Sequence, residues 1–373
     1  MKQLFSFLIL FSLCLSLAAC ASGSGSETKA PITPPGAISV NRPDTVLMNT
    51  ESFKVTDKMV AYSLKELYLA FCEKLAESGL RPEDMGIVAG TSLKDQECLI
   101  DSSAKTWLDY FANQAEYSFM EQLVLCEAAA EAGISLGDGE LAIIDARIEK
   151  LAADAAGNGK TTAGHVAEIY GTSVNTGDIR NAMELSLLAE KYLRHAADSA
   201  DVTAAAINRF YTVNSDAIDT VDYLVYVFTA EEADYAQELA EQKSAEDFLT
   251  YVRHHVTGVR GLSEVDFKKI RDEHVVCENV HRGEGGNSAD FAFSAASGDV
   301  NVASDKYGSV TVTYVTRAKS PNEATDADGN AVWMTEARAM IESEYVKSAT
   351  EAAAKKYPVT VDRQNFYSID IKG

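Results

Sequence analysis

Four of the six histidines in the chain fall within a stretch of about thirty residues, and imidazole side chains in such numbers could bind a metal ion or transfer protons. They are His254, His255, His274 and His281. Because His254 and His255 are adjacent, they cannot both point to the same side of a helix, and the spacing to His274 fits no metal-binding motif. We therefore predict surface histidines here, and no metal site.

Two other segments carry partial signatures of ligand binding. Residues 326–330 read DADGN, like the opening of a calcium-binding loop, but Ala337 occupies the twelfth position, where Glu is expected, and Glu336 falls one residue short. Residues 157–162 read GNGKTT, like half of a phosphate-binding loop, without the preceding glycine and strand. We interpret the first as a hairpin or exposed loop and the second as a turn that ends a helix, and we predict no cofactor.

The first twenty residues, MKQLFSFLILFSLCLSLAAC, have the pattern of a lipoprotein signal. Lys2 precedes an apolar run that ends at Leu17, and small residues lead to Cys20. We predict cleavage before Cys20, a lipid on its thiol, and an extracytoplasmic protein anchored to the bilayer of a bacterial cell membrane; the alternative is an ordinary secretory signal. Residues 21–45 are rich in Ser, Gly and Pro and predict a flexible tether.

The net charge of the protein limits the classes of partner that it can bind. The 373 residues contain 33 Lys and Arg against 56 Asp and Glu, a formal net charge of −23. Such a surface repels nucleic acid phosphates and anionic lipid headgroups, so we predict no nucleic acid partner and an attachment to membranes through lipid alone.

Four cysteines remain beyond the signal, none in a C-x-x-C pair: Cys72, Cys98, Cys126 and Cys277. Cys72 and Cys126 sit at core-like helix positions, and the sequence leaves open whether any disulfide forms.

The first half of the chain has the periodicity of a helical bundle. Apolar residues recur at helical spacing over residues 59–75, 107–126 and 141–151. Aromatic side chains in such stripes most often form a core. The alternative is a cradle in which some aromatic and methionine side chains stay exposed to hold unfolded proteins.

Residues 162–228 contain the pattern of helices and strand that guides our interpretation of the whole chain. We predict a short helix that ends at Tyr170, a helix over 177–197, a helix that begins near Thr203, and a strand over 221–228. This order resembles extracytoplasmic foldases of the SurA and PrsA type, in which a helical chaperone domain leads into a parvulin-type prolyl isomerase domain. Residues 290–301 and 307–315 are similar to a turn and the last strand of parvulins.

The resemblance implies an α+β fold, with a mainly helical chaperone domain and a small parvulin-like α/β domain inserted before the C-terminal helix. The implied boundaries are 46–217 for the helical domain, 218–320 for the parvulin-like domain, and 321–373 for a helix and strand that return to the first domain.

The resemblance also implies a function: a chaperone whose partners are unfolded or newly exported proteins. Parvulins use two histidines, and here those positions align with Val225 and Val310, so the resemblance implies that the isomerase site is lost. Two alternatives stay open, an active prolyl isomerase with a substituted site and a surface lipoprotein with one dedicated partner. The side chains that the resemblance suggests for client binding are aromatic residues and methionines: Phe119, Met120, Met183, Phe291 and Phe293.

Overall fold

The computed structural model describes residues 44–373. The predicted signal, the lipidation site at Cys20 and nearly all of the predicted tether lie outside this range. Within it the protein has the predicted α+β architecture, mainly helical with two small antiparallel sheets. No described helix combines the length and the apolar character that are needed to cross a bilayer.

Twelve α-helices and seven strands make up the described chain. The helices are α1 Asp57–Glu77, α2 Trp107–Glu131, α3 Asp138–Gly157, α4 Thr162–Tyr170, α5 Thr176–Asp198, α6 Ala204–Ile218, α7 Asp234–Ala240, α8 Ala245–His254, α9 Glu264–Ile270, α10 Gly286–Ala292, α11 Val332–Lys356 and α12 Arg363–Phe366. The strands are β1 Val46–Asn49, β2 Lys54–Thr56, β3 Thr220–Phe228, β4 Val276–His281, β5 Val300–Ser304, β6 Val310–Ser320 and β7 Thr360–Val361.

The chain forms two compact units. Of the described residues, unit 1 contains 44–199 together with 345–373, and unit 2 contains 200–344. These boundaries differ from the predicted ones because α6 and the first part of α11 pack on each other in unit 2, where Ile207, Trp333 and Ala337 share one apolar cluster.

Unit 1 is a helical bundle with a three-stranded sheet of order β2-β1-β7. Local signals set its helix ends: the Thr56 hydroxyl accepts a hydrogen bond from the Met59 amide at the start of α1, and Gly79 supplies the left-handed residue after its end. The core is built from α1 to α5, and its largest fully buried side chains include Trp107 and Phe111 of α2. A residue from far along the chain also joins this core: Phe366 of α12 is fully buried in the same cluster.

Unit 2 is built around a four-stranded antiparallel sheet of order β4-β3-β6-β5. Side chains alternate between the two faces of a strand, so β3 contributes to two separate cores. One face carries Leu224, Tyr226 and Phe228, which pack against apolar residues of α7, α8 and α9. The other face carries Val221 and Tyr223, which pack against α10.

Two π-helical turns interrupt the helical layer of unit 2. They cover His255–Val259, directly after α8, and Arg271–Val275, directly after α9. A π-helical turn holds one more residue than a normal turn, so it changes the direction in which the following side chains point. α8 and α9 therefore each run directly into one of these turns.

Candidate functional site

The two positions that align with catalytic histidines lie on opposite faces of the unit 2 sheet. Val225 pairs with Thr313 and belongs to the face covered by α10. Val310 pairs with Phe228 and belongs to the opposite face. Because residues 310 and 313 of one strand differ by an odd number, their side chains point to opposite sides. Val225 and Val310 therefore do not share one face of the sheet, and the loss of a histidine site at these positions stays a prediction.

The sheet face under α10, which we call the α10 face, carries a wholly or partly buried group of polar side chains instead. Tyr223 lies opposite Cys277 on the neighbouring strand. Next to Val225, the Thr313 hydroxyl donates to the Ser288 hydroxyl of α10 over 2.9 Å. Tyr223 and Thr313 are 2% and 1% exposed. No sequence pattern indicates this group, because its members come from three strands and a helix.

The chemistry available on the α10 face is that of neutral hydrogen-bonding groups. Burial raises the pKa of the Tyr223 hydroxyl. Burial also raises the pKa of the Cys277 thiol, although the neighbouring Tyr223 hydroxyl group works in the opposite direction. Neither group is ionised near neutral pH, so the face supplies no thiolate or phenolate nucleophile.

The chain before α10 lies directly on this face. Gly285 has a φ of +72°, and a Cβ atom at this position would lie 2.3 Å from the Tyr223 hydroxyl oxygen. Only glycine satisfies both conditions. The close approach fixes the start of α10 over the strand pair that carries Tyr223 and Cys277.

The five side chains suggested for client binding are wholly or partly buried. Phe119 and Met183 belong to the unit 1 core, and Met120 packs against it. Phe293 is buried in the cluster of the α10 face, and Phe291 packs against that cluster. Their role in binding clients stays a prediction, since Phe119, Met183 and Phe293 expose less than 9% of their surface in this conformation.

One of the predicted surface histidines is in fact enclosed. His255 is 1% exposed, whereas His254 and His274 are exposed. The π-helical turn that begins at His255 directs its ring towards the sheet, where Tyr226 shares a hydrogen bond of 3.1 Å with Nδ1. The rings of Phe228 and Tyr235 contact it edge-on, each at a centroid distance of 4.9 Å.

Within residues 44–373 the second ring nitrogen of His255, Nε2, has no hydrogen-bond partner. The Oε1 atom of Glu232 lies 3.8 Å from it. Glu232 is held by Arg260 through paired hydrogen bonds, which lower the pKa of its carboxyl group to about 2. Burial lowers the pKa of His255, and Arg260 and His254 act in the same direction, while Glu232 opposes them. The ring is therefore neutral at pH 7.

In the segment that resembles a calcium-binding loop, the first carboxylate is hydrogen bonded within the chain. Asp326 accepts hydrogen bonds from the amides of Asp328 and Asn330 and from the Thr335 hydroxyl. These bonds close a tight turn in which Gly329 has a φ of +84°. Between residues 44 and 373 no three or more His, Cys, Asp or Glu side chains are placed so that they could hold a metal ion.

The long connection between α1 and α2 presents a group of exposed apolar side chains, which we call the loop patch. Its members are Leu80, Val88, Leu99 and Ile100, with 42%, 60%, 64% and 44% of their surfaces exposed. Leu99 lies over Gly86, close enough that a Cβ atom there would stand 2.9 Å from its side chain. Isolated exposed apolar residues are common, but four within one connection of the chain make this connection a candidate binding surface.

A buried glutamine holds the connection in shape. The Gln96 side chain accepts a hydrogen bond from the Val88 amide over 2.6 Å and donates to the carbonyl groups of Val88, Thr91 and Ser92. Residues near the other end of the chain add backbone bonds, since the Leu93 amide donates to the Ile371 carbonyl. The apolar side chains of the loop patch therefore stand on a fixed backbone.

Comparison with known proteins gives resemblances of low identity. No protein-family model and no curated protein matches the sequence. Among solved structures, one described in work on SurA-like chaperones of Campylobacter jejuni matches with 10% identity and a TM-score of 0.26, covering 85% of this chain and 99% of the other. The foldase protein PrsA from Lactococcus lactis matches with 12% identity and a TM-score of 0.30, covering 87% of this chain and 97% of the other.

A third match is the peptidylprolyl isomerase PrsA from Bacillus anthracis, with 12% identity and a TM-score of 0.28, covering 64% of this chain and 95% of the other. The chain is thus similar to SurA-like and PrsA proteins, the family that its sequence resembles.

Proposed function

We propose that this protein is a membrane-anchored extracytoplasmic chaperone that holds newly exported, unfolded proteins. The observation that carries the proposal is the loop patch of unit 1. Apolar side chains fixed on a rigid backbone at the surface suit shallow contacts with many extended chains, and a closed pocket would admit few of them. The signal that ends at Cys20 supports the location and the lipid anchor.

In this proposal, the α10 face does not work by a histidine pair. Val225 and Thr313 stand side by side where such a pair would have to meet, and neither carries an imidazole ring. Rotation about the peptide bond before proline has a barrier of about 20 kcal/mol and forms no bond to a nucleophile. A face of neutral hydrogen-bonding groups is therefore chemically compatible with this reaction. The polar group of Tyr223, Cys277, Thr313 and Ser288, in which Tyr223 and Thr313 are buried, thus favours an isomerase with a substituted site as the second candidate.

Two assays on the protein from Ala21 onward separate these candidates. The first follows aggregation of a chemically unfolded client protein, and the second follows isomerisation of a proline-containing tetrapeptide. We expect suppression of aggregation without isomerisation. Isomerisation that is lost on Thr313→Val would establish the second candidate. Silence in both assays would favour a lipoprotein with one dedicated partner.

Substitutions in the loop patch test the surface itself. Val88→Ser and Leu99→Ser, made together, remove about half of the exposed apolar area of the patch, and we expect suppression to weaken several-fold. Val265→Ser is the matched control, since Val265 is 78% exposed and belongs to unit 2. Because all three side chains are exposed, the thermal midpoint of unfolding should stay unchanged. Equal suppression by both variants would refute the assignment of the patch.

A further inference from the structure

The connection that carries the loop patch is also acidic. Its exposed carboxylates are Glu83, Asp84, Asp95 and Glu97, and its basic residues are Arg81, Lys94 and Lys105. Arg81 lies 3.6 Å from Asp84, and Lys94 lies 3.9 Å from Asp370 of the same unit. Two of the three bases are therefore already matched to an acid.

Three carboxylates of the same connection have no ion-pair partner among the described residues. Glu83, Asp95 and Glu97 form no ion pair or side-chain hydrogen bond with another residue of the described chain. Glu97 is two residues from Leu99, and Glu83 is three residues from Gly86, over which Leu99 lies. These carboxylates, which we call the acidic rim, are close in sequence to exposed apolar side chains, on a protein whose formal charge is −23.

We propose that the loop patch selects extended client segments in which apolar residues are flanked by lysine or arginine. The inference rests on the proposed function, because it specifies the clients that the same surface holds. A lysine or arginine side chain can lay its aliphatic stem on Val88 or Leu99 while its charged end reaches a rim carboxylate. A glutamate in the same place would meet like charges and be repelled.

Binding of two matched peptides tests the selection. Both carry the same apolar core, one with lysine and the other with glutamate on each side, and both carry the same fluorescent label. Fluorescence anisotropy measures their dissociation constants for the protein from Ala21 onward, which retains every described residue. At low salt we expect the lysine peptide to bind about tenfold more tightly. The ratio should shrink in about 0.5 M NaCl, because salt screens exposed charges.

A variant of the rim separates local selection from attraction by the whole protein. The triple substitution Glu83→Gln, Asp95→Asn and Glu97→Gln removes the three carboxylates that have no ion-pair partner. Each exposed charge pair changes affinity by a factor of about 1.4 to 5, so we expect the ratio to fall from about tenfold to about twofold. Circular dichroism should be unchanged, since these side chains are exposed and hold nothing in place.

The matched control removes the same number of charges elsewhere in unit 1. Glu149, Asp154 and Asp198 are exposed, lie on α3 and α5, and take part in no ion pair of the described chain. With Glu149→Gln, Asp154→Asn and Asp198→Asn, the ratio should stay near its wild-type value. An equal fall in both triple variants would overturn the inference, because net charge would then account for the preference.

The outcomes also separate this inference from the proposed function. A wild-type protein that suppresses aggregation and binds both peptides equally keeps its chaperone role but has no preference for basic flanks. A protein that neither suppresses aggregation nor binds either peptide loses both proposals.

Discussion

Replacement of His255 should remove a step in the pH dependence of unit 2. His255 has a lowered pKa in the folded protein, whereas in the unfolded chain it has its ordinary value near 6.5. The unfolded chain therefore takes up a proton at a higher pH than the folded protein does. The stability that this difference provides is complete above about pH 6.5 and is lost as the pH falls.

The size of this change in stability follows from the protonation of His255 in the folded and unfolded states. Protonation of His255 in the unfolded chain alone sets the upper limit: acidification from about pH 7 to 5 then favours the unfolded state about 25-fold, or about 1.9 kcal/mol. This is an upper value, because protonation in the folded state would reduce it. Three neighbouring groups act on that protonation: Glu232, 3.8 Å away, favours it, whereas Arg260, bound to Glu232, and His254 oppose it.

The assay is urea unfolding at about pH 5, 6 and 7, read by pulsed hydrogen exchange in peptides of β3 and β6. His255→Phe keeps an aromatic ring against Phe228 and Tyr235 but cannot be protonated. It should lower stability at every pH, because the Tyr226 hydroxyl loses its partner, while it reduces the loss between pH 7 and 5 by up to about 1.9 kcal/mol. Tyr226→Phe is the control, since it removes the same hydrogen bond and leaves the imidazole. A pH dependence in His255→Phe equal to that of the wild-type protein would refute the reasoning.

Two further predictions concern the unit 2 sheet. Gly285→Ala should lower the free energy of unfolding of unit 2 by at least about 2 kcal/mol, because the new methyl group meets the Tyr223 hydroxyl. Gly283→Ala is the control: Gly283 has a similar positive φ with open space around it, so the free energy of unfolding should fall by only about 1 kcal/mol. Equal decreases for the two variants in urea unfolding would contradict the contact. Arg317→Lys should destabilise unit 2 by about 2 kcal/mol, since lysine cannot reproduce the two hydrogen bonds of 2.7 Å from the guanidinium group to Asp222. A change of less than about 0.5 kcal/mol in the same measurement would show that one ionic contact suffices there.

Features that depend on neighbouring residues could be predicted from the sequence. The threonine and glycine at the two ends of α1, the end of α4 at Tyr170 and the strand β3 are examples. A cap, a left-handed glycine and a period-two apolar pattern each act over a few residues, so they can be read without knowledge of the fold.

The candidate sites could not be predicted in the same way. Which face Val310 occupies depends on the pairing register of β6 with β3, and this register joins residues about ninety positions apart. The contact of Tyr223 with Cys277 is likewise formed between strands. His255 is buried because a π-helical turn directs its ring inward, and no local pattern in the sequence indicates that turn.

The order of the chain through the two units has a consequence for biogenesis. Unit 2 is one continuous stretch, whereas the sheet of unit 1 pairs β1 with β7, more than three hundred residues later. A chain that emerges N-terminus first can thus complete unit 2 while unit 1 still lacks a strand. The loop patch also forms late, because its connection is joined by backbone hydrogen bonds to residues 371–373. Its apolar side chains therefore reach their fixed arrangement only after residues 371–373 have emerged, so this surface is assembled late in the protein's own synthesis.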